Sequence, residues 1–198
     1  MPIVINGSGT VTGLSVGGVN DGAIAHADLA DSTKPIFSSY AIICDQKDST
    51  TDGGTFTTDA WRTRDLNTEI ADPDGIVSIS SNQFTLAAGS YLIKWRAPGY
   101  DCDRHVSRLY DATNTALRQY GLASFAHSSY NAFSYSEGIA RVTPSGTTAY
   151  EIQHACATTK TTYGFGLATE TNAAGDNSDG TTEGYSIYTV VEIWKEAT

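Results

Sequence analysis

The chain is poor in charge. Only 17% of its 198 residues are Asp, Glu, Lys or Arg, where a globular domain ordinarily carries about a quarter. The charge present is lopsided, with 22 acidic against 12 basic residues and a formal net charge of −10. A nucleic-acid binder needs a basic stripe to neutralise phosphates, and no such stripe exists, so nucleic acid is excluded as a partner. No apolar run approaches the ~20 residues a membrane-spanning helix requires, so no membrane insertion is expected. Met1 to Asn6 lacks a basic start and a continuous apolar core. The expectation is therefore synthesis in a cytoplasm without a signal peptide.

Cysteine is equally sparse. Cys44, Cys102 and Cys156 are odd in number and show no C-x-x-C spacing, which argues against a disulfide framework or a structural zinc site. Cys156 alternates with Ile152 and His154 and reads as a small buried apolar residue. His26, His105, His127 and His154 are scattered, without an H-E-x-x-H pair. His154 is expected to point inward as a neutral imidazole with one hydrogen-bond partner.

What the chain has is turns. Nineteen glycines stand among many Ser, Thr, Asn and Asp residues. Between the turns run short alternating segments. In Phe84–Ala97, Gly89 supplies a permissive turn, and after it Tyr91, Ile93, Trp95 and Ala97 fall on one face while Leu92, Lys94 and Arg96 fall on the other. Period two of this kind marks a strand buried on one side, and the segment reads as a hairpin. Similar runs occur at Tyr40–Cys44, Thr55–Thr57, Ala60–Leu66, Ile76–Ile79, Arg104–Tyr110, Leu117–Ala126, Glu137–Val142, Ala149–Ala157, Gly164–Ala168 and Tyr185–Lys195. Asp72-Pro73-Asp74-Gly75 is a strong turn, and Thr171 to Gly184 reads as a loop. The fold class is all-β, a jelly-roll sandwich of about eight to ten antiparallel strands.

Residues 1–35 differ from the rest. Gly7 to Gly18 is small, glycine-rich and nearly uncharged, and buries too little apolar surface to fold alone. Two domains are therefore expected: an extended attachment arm over 1–35, with Ile3, Val4, Ile5, Val11, Leu14 and Val16 as its contact residues, and a head over 36–198. In the last strand, Ile187, Thr189, Val191 and Ile193 share one face, and the other includes Tyr188, Val190 and Trp194. Both faces are largely apolar, so both call for burial, and another subunit is a natural cover for the second.

The order of these features carries a resemblance. Tyr40–Cys44, Phe56, Trp61-Arg62-Thr63-Arg64, Gln83-Phe84-Thr85-Leu86 with Gly89 and Tyr91, Arg108-Leu109-Tyr110, Glu137-Gly138, Ser145-Gly146-Thr147 and the aromatic-rich final strand resemble the trimeric jelly-roll heads of the complement and tumour-necrosis-factor type, in the form found in bacteriophage virion proteins. The resemblance spans roughly residues 36–195. It implies a homotrimer closed partly by Tyr188, Val190 and Trp194, with arms leaving at one end and gripping another virion protein. It implies a virion location and a non-enzymatic role. The chain lacks the long shaft of an ordinary tail fibre, so two roles stand: a tail-fibre or receptor-binding head contacting the host surface, and a capsid decoration, cement or head-fibre protein. A small polysaccharide-degrading enzyme is a third reading.

The residues offer little chemistry. Gly13-Leu14-Ser15-Val16-Gly17 has nucleophile-elbow spacing, but no strand and helix flank it, and no catalytic residue is assigned. Asp101-x-Asp103-x-His105 places three metal-ligand types at alternate positions, and Asp176–Gly180 resembles a fragment of a calcium loop without its bidentate Glu at the expected spacing. Neither is assigned a metal, and no cofactor is expected. Glu137, Glu151, Glu170 and Glu183 include no pair whose separation the sequence sets. The segment Phe125–Tyr135, with His127, Tyr130, Phe133 and Tyr135, together with Tyr163, gathers aromatic and small polar groups of the sort that stack on sugars and bond their hydroxyls. These are the candidate ligand-binding residues for a host-surface glycan or receptor.

Overall fold

A computed structural model describes residues 35–168 and 184–197. Among the described residues there are twelve strands and no helix. They are β1 (Phe37–Asp48), β2 (Arg62–Thr63), β3 (Thr68–Ala71), β4 (Val77–Ser80), β5 (Gln83–Leu86), β6 (Tyr91–Tyr100), β7 (Asp103–Asp111), β8 (Ala116–Tyr120), β9 (Ser124–Ala126), β10 (Phe133–Val142), β11 (Thr148–Cys156) and β12 (Tyr185–Glu196). All pairings are antiparallel. One sheet has the order β10-β6-β12-β1-β3, and the other runs β4-β5-β11-β7-β8, with β2 beside β11 and β9 beside β7. From β5 onward the chain passes repeatedly between the two sheets, which is the jelly-roll habit.

The facing sides hold the core. Ile43, Phe84, Leu86, Tyr91, Ile93, Trp95, Leu109, Ile152, Val191 and Ile193 are all buried in one cluster. The alternation read after Gly89 is realised: Tyr91, Ile93, Trp95 and Ala97 are buried, while Lys94 and Arg96 are exposed. The Trp95 indole donates to Ser107 Oγ across the sandwich at 2.8 Å, which satisfies its one polar atom. Its ring covers Gly138, the residue paired with it on β10. A Cβ there would lie 2.0 Å from the indole.

The hairpin reading of Phe84–Ala97 does not hold. β5 pairs with β4 and β11, and β6 pairs with β10 and β12. The turn at Gly89 carries the chain from one sheet to the other, with Gly89 N–H donating to Pro144 O. Gly89 has φ 154°, and a Cβ would meet the Tyr91 ring at 3.2 Å, so glycine is required there for a different turn. Alternation fixes which face of a strand is buried and leaves its partner open.

Other boundaries differ: Thr55–Thr57 keeps a single bridge, Phe56 to Lys160, and Ala60–Leu66 only the two-residue β2. Gly164–Ala168 is a turn, pinned by Phe165 N–H to Gly54 O and Gly53 N–H to Gly166 O. Leu117–Ala126 is broken at Gly121, whose N–H bonds Ser107 O, into β8 and β9. β10 starts four residues earlier than Glu137, and β3 is an edge strand whose polar residues give no alternation signal.

Candidate functional site

The register of the five-stranded sheet sets out its outer face in rows. Tyr40, Trp194, Leu92 and Arg141 are cross-strand neighbours, as are Ile42, Glu192, Lys94 and Ile139, and then Val190, Arg96 and Glu137, with Val190 paired to Cys44, which is wholly buried. Tyr40 and Ile139 are 45% and 57% exposed, and Leu92, Val190 and Trp194 are half-buried. Charge enters as matched opposites: Glu192 stands opposite Lys94, and Arg96 Nε meets Glu137 Oε1 at 2.6 Å. The face is a mosaic of apolar rows and ion pairs, more polar than the sequence reading of the last strand implied.

Tyr188 does not belong to it. Opposite Asp45 the register slips, and β12 places two residues, Tyr188 and Thr189, where β1 places one. Such a bulge inverts the alternation on its far side. Tyr188 therefore turns inward, 5% exposed, its hydroxyl donating to Thr51 O at 2.6 Å and its ring against Gly166. Ile187, assigned to the buried face with Thr189, Val191 and Ile193, is instead 49% exposed. With its area already covered within the chain, Tyr188 has none left for a neighbour. Val190 and Trp194 stay on the outer face.

The five candidate ligand-binding residues fall into two groups. His127 and Tyr130 contact each other at 4.4 Å between rings, with Phe125 beside His127. Phe133 and Tyr135 meet edge to face at 4.8 Å on the outer side of β10, with the Arg96 guanidinium 5.2 Å from the Tyr135 ring. Tyr163 joins the second group through Tyr100, which it meets at 5.4 Å and which is the cross-strand partner of Phe133. Lys160 Nζ lies 4.9 Å from the Tyr163 ring. Tyr130 is 76% exposed, Phe133 and Tyr135 nearly half. Exposed aromatic edges beside a guanidinium make a surface suited to binding. The sequence reading missed Tyr100 and Arg96, whose strand positions gave no sign that they lay beside these rings.

The other candidate chemistry is dispersed. Asp101 accepts from Ala132 N–H and Lys160, Asp103 from Ser128 N–H and Thr158, and His105 faces the interior. Glu137 and Glu151 lie on strands of different sheets. Ser15, Glu170, Asp176–Gly180, Glu183 and the arm residues Ile3, Val4, Ile5, Val11, Leu14 and Val16 fall outside the described residues.

The sandwich is similar to several solved structures. The globular domain of zebrafish complement 1qA protein is 13% identical, over 79% of this chain and 95% of that one, with a TM-score of 0.47. Murine APRIL is 7% identical over 79% and 98%, also with 0.47. The PRD1 vertex protein P5 is 14% identical over 81% and 99%, with 0.44. No family model matches the sequence, and no curated protein matches it.

Beneath the aromatic end lies a buried polar cluster that the sequence did not announce. Arg64 is wholly buried, donating from Nε to Thr189 Oγ1 at 2.7 Å, from Nη1 to Pro98 O and from Nη2 to Phe165 O, with its guanidinium 3.9 Å from the Phe165 ring. Burial lowers its pKa to about 10, so it stays charged at neutral pH. Nearby, His105 Nδ1 and His154 Nε2 are 2.9 Å apart, and His105 Nε2 reaches Ser134 Oγ on the opposite sheet at 2.7 Å. His154 is buried with that single hydrogen bond, as its strand position suggested, and its Nδ1 has no partner. Burial first and the Arg64 charge second push both imidazoles down, His105 to about 4, so both are neutral at pH 7. Cys156 is half-buried rather than buried, and burial raises its thiol to about 11. These groups are committed to one another and tie the sheets together.

Proposed function

We propose that the chain is a non-enzymatic structural protein of a bacteriophage virion. Three copies close their five-stranded sheets about a common axis, residues 1–35 mount the trimer on another virion protein, and the aromatic end meets the host surface. The observation that carries the reading is the apolar rows on the outer face of β10, β6, β12 and β1. Tyr40, Trp194 and Leu92 align across three strands, Ile42 and Ile139 end the next row, and Val190 lies one row beyond. Exposed apolar groups gathered on one sheet face, with charge interleaved as opposed pairs, mark an interaction surface. Around a closed axis each copy offers the same patch, and the opposed charges Glu192, Lys94, Arg96 and Glu137 supply partners for burial.

The rows holding Tyr135 and Phe133 lie further along the same face, where the aromatics gather. They are assigned to the host ligand with His127, Tyr130 and Tyr163. The virion setting follows the pattern of residues 36–195, which resembles virion heads.

Sedimentation velocity of the purified full chain tests the reading. The wild type is expected to run as a trimer at micromolar concentration. Ile139→Lys is expected to run as a folded monomer, because it sets a second ammonium beside Lys94 in the closed interface while its side chain is exposed in the single chain. A monomeric wild type would overturn the assembly and the role built on it.

A further inference from the structure

The opposite face of the molecule, the outer side of the seven-stranded sheet, carries a trough that the preceding proposal leaves unused. Its floor is made of small residues, because Val106 on β7 pairs with Ala155 on β11. Two hollows of about 550 and 480 Å³ share Ala155, Cys156 and Ala157. The first is walled by Phe125 and Arg104, a cross-strand pair on β9 and β7. The second is walled by Trp61, Thr58 and Asp59. Trp61 is held in place: the Arg108 guanidinium stacks on it at 3.9 Å and Tyr120 abuts it at 5.9 Å. Arg108 is itself fixed by Gln153 at 2.7 Å.

Arg104 is the distinctive group. The exposed arginines elsewhere meet carboxylates: Arg96 with Glu137, Arg118 with Asp111, Arg141 with Glu196. Arg104 is exposed and, among the described residues, its guanidinium has no ion pair or hydrogen bond. The adjacent Asp103 carboxylate is turned away to Ser128 and Thr158. In a chain of net charge −10, an unneutralised guanidinium at the lip of an aromatic-walled trough is a local anion site in a field that repels extended polyanions. At the other end Asp59 offers an acceptor and Thr58 a hydroxyl, groups matched to neutral hydroxyls.

We propose that this trough binds an anionic saccharide. The sugar carboxylate pairs with Arg104 and its ring packs on Phe125. A neighbouring ring extends over the Ala155 floor to Trp61, where its hydroxyls donate to Asp59. The proposal rests on the host-surface reading and names a ligand class for it, at residues separate from the interface and bordering the aromatic end through the contact of Phe125 with His127.

The test is a calorimetric titration of the full chain with short oligogalacturonides and sialyllactose, and with cellotetraose and lactose as neutral counterparts. Each preparation is also run by sedimentation velocity. Binding of an anionic sugar is expected, about tenfold or more tighter than its neutral counterpart, and reduced by a similar factor in Arg104→Gln, since a charge-assisted contact of this kind is lost. Phe125→Ala is expected to weaken both sugar types, with sedimentation unchanged in both variants. A trimer that takes up none of the anionic sugars, or whose binding Arg104→Gln leaves intact, overturns the saccharide site while the assembly stands. A monomer that binds the anionic sugar through Arg104 upholds the site and removes the assembly.

Discussion

The buried histidine pair makes the sandwich acid-sensitive in a defined window. In the unfolded chain each imidazole titrates near 6.5. In the folded chain His105 titrates at about 4, and His154 is held well below 6.5, because burial and the Arg64 charge penalise the imidazolium. Between these limits the unfolded state binds protons that the folded state refuses, so stability must fall as pH falls. Above about pH 6.5 neither state is protonated there, and the contribution is flat. At about pH 5 His105 alone costs about 2 kcal/mol by this linkage, and His154 adds to it in the same direction, a large share of the ~5–15 kcal/mol that holds a domain together. Asp45 opposes the trend: burial raises its pKa, so its protonation as pH falls favours the folded state. Urea denaturation at fixed protein concentration, at about pH 7, 6 and 5, reads the effect as a falling midpoint at constant slope. In His105→Gln with His154→Gln the midpoint is expected to become nearly pH-independent over that range, whatever its absolute value. A wild-type midpoint equal at about pH 7 and pH 5, or an undiminished pH dependence in the double variant, would refute the reasoning.

Two further perturbations follow from packing. Gly138→Ala forces a Cβ to 2.0 Å from the buried Trp95 ring and is expected to cost about 1–3 kcal/mol or more, whereas Gly146→Ala, with nothing within 4 Å of the added atom, is expected to be neutral or mildly stabilising; equal urea midpoints for the two variants would contradict the placement of the indole. Arg64→Met removes the donors to Thr189 Oγ1, Pro98 O and Phe165 O while keeping much of the side-chain volume, and is expected to cost about 3 kcal/mol or more in chemical denaturation, since each buried acceptor left unpaired costs ~1–3 kcal/mol. An unchanged midpoint would mean that the relief of desolvating the guanidinium matches those three bonds.

The fold was legible where one face of a strand is buried and the other wet. Tyr91, Ile93, Trp95 and Ala97 on β6 and the run Ala149–Ala157 on β11 could be placed because water on one side imposes period two. Partner choice was not legible. The pattern of Phe84–Ala97 is the same whether the turn at Gly89 folds the strand back within one sheet or over to the next. What decides is the fit of both halves in the sandwich: Phe84 stacks near Tyr150, and Trp95 fits over Gly138. β3 escaped because an edge strand of Thr, Glu, Ile and Ala has little to bury. Gly164–Ala168 misled because Phe165 and Ala168 are buried in a turn that wraps Arg64, so apolar content there reports burial without extension.

The site was legible in composition and obscure in geometry, and β12 shows why. Its sequence is apolar on both parities, so alternation alone cannot say which residues face out, and a single extra residue opposite Asp45 exchanges them. The inward position of Tyr188 is what that bulge changes, since Thr189 shares the parity of Val191 and Ile193 and faces in either way. Arg64 is buried and needs acceptors, and Thr189 supplies a hydroxyl at 2.7 Å. A strictly alternating strand that kept Val191 and Ile193 in the core would also put Ile187 inward and leave Tyr188 outward, without its bond to Thr51 O. The bulge instead lets Tyr188 and Thr189 both turn in. The bond to Thr51 O and the cover of Gly166 thus accompany the choice of Ile187, rather than Tyr188, for the outer face, and neither residue's own character could have revealed it.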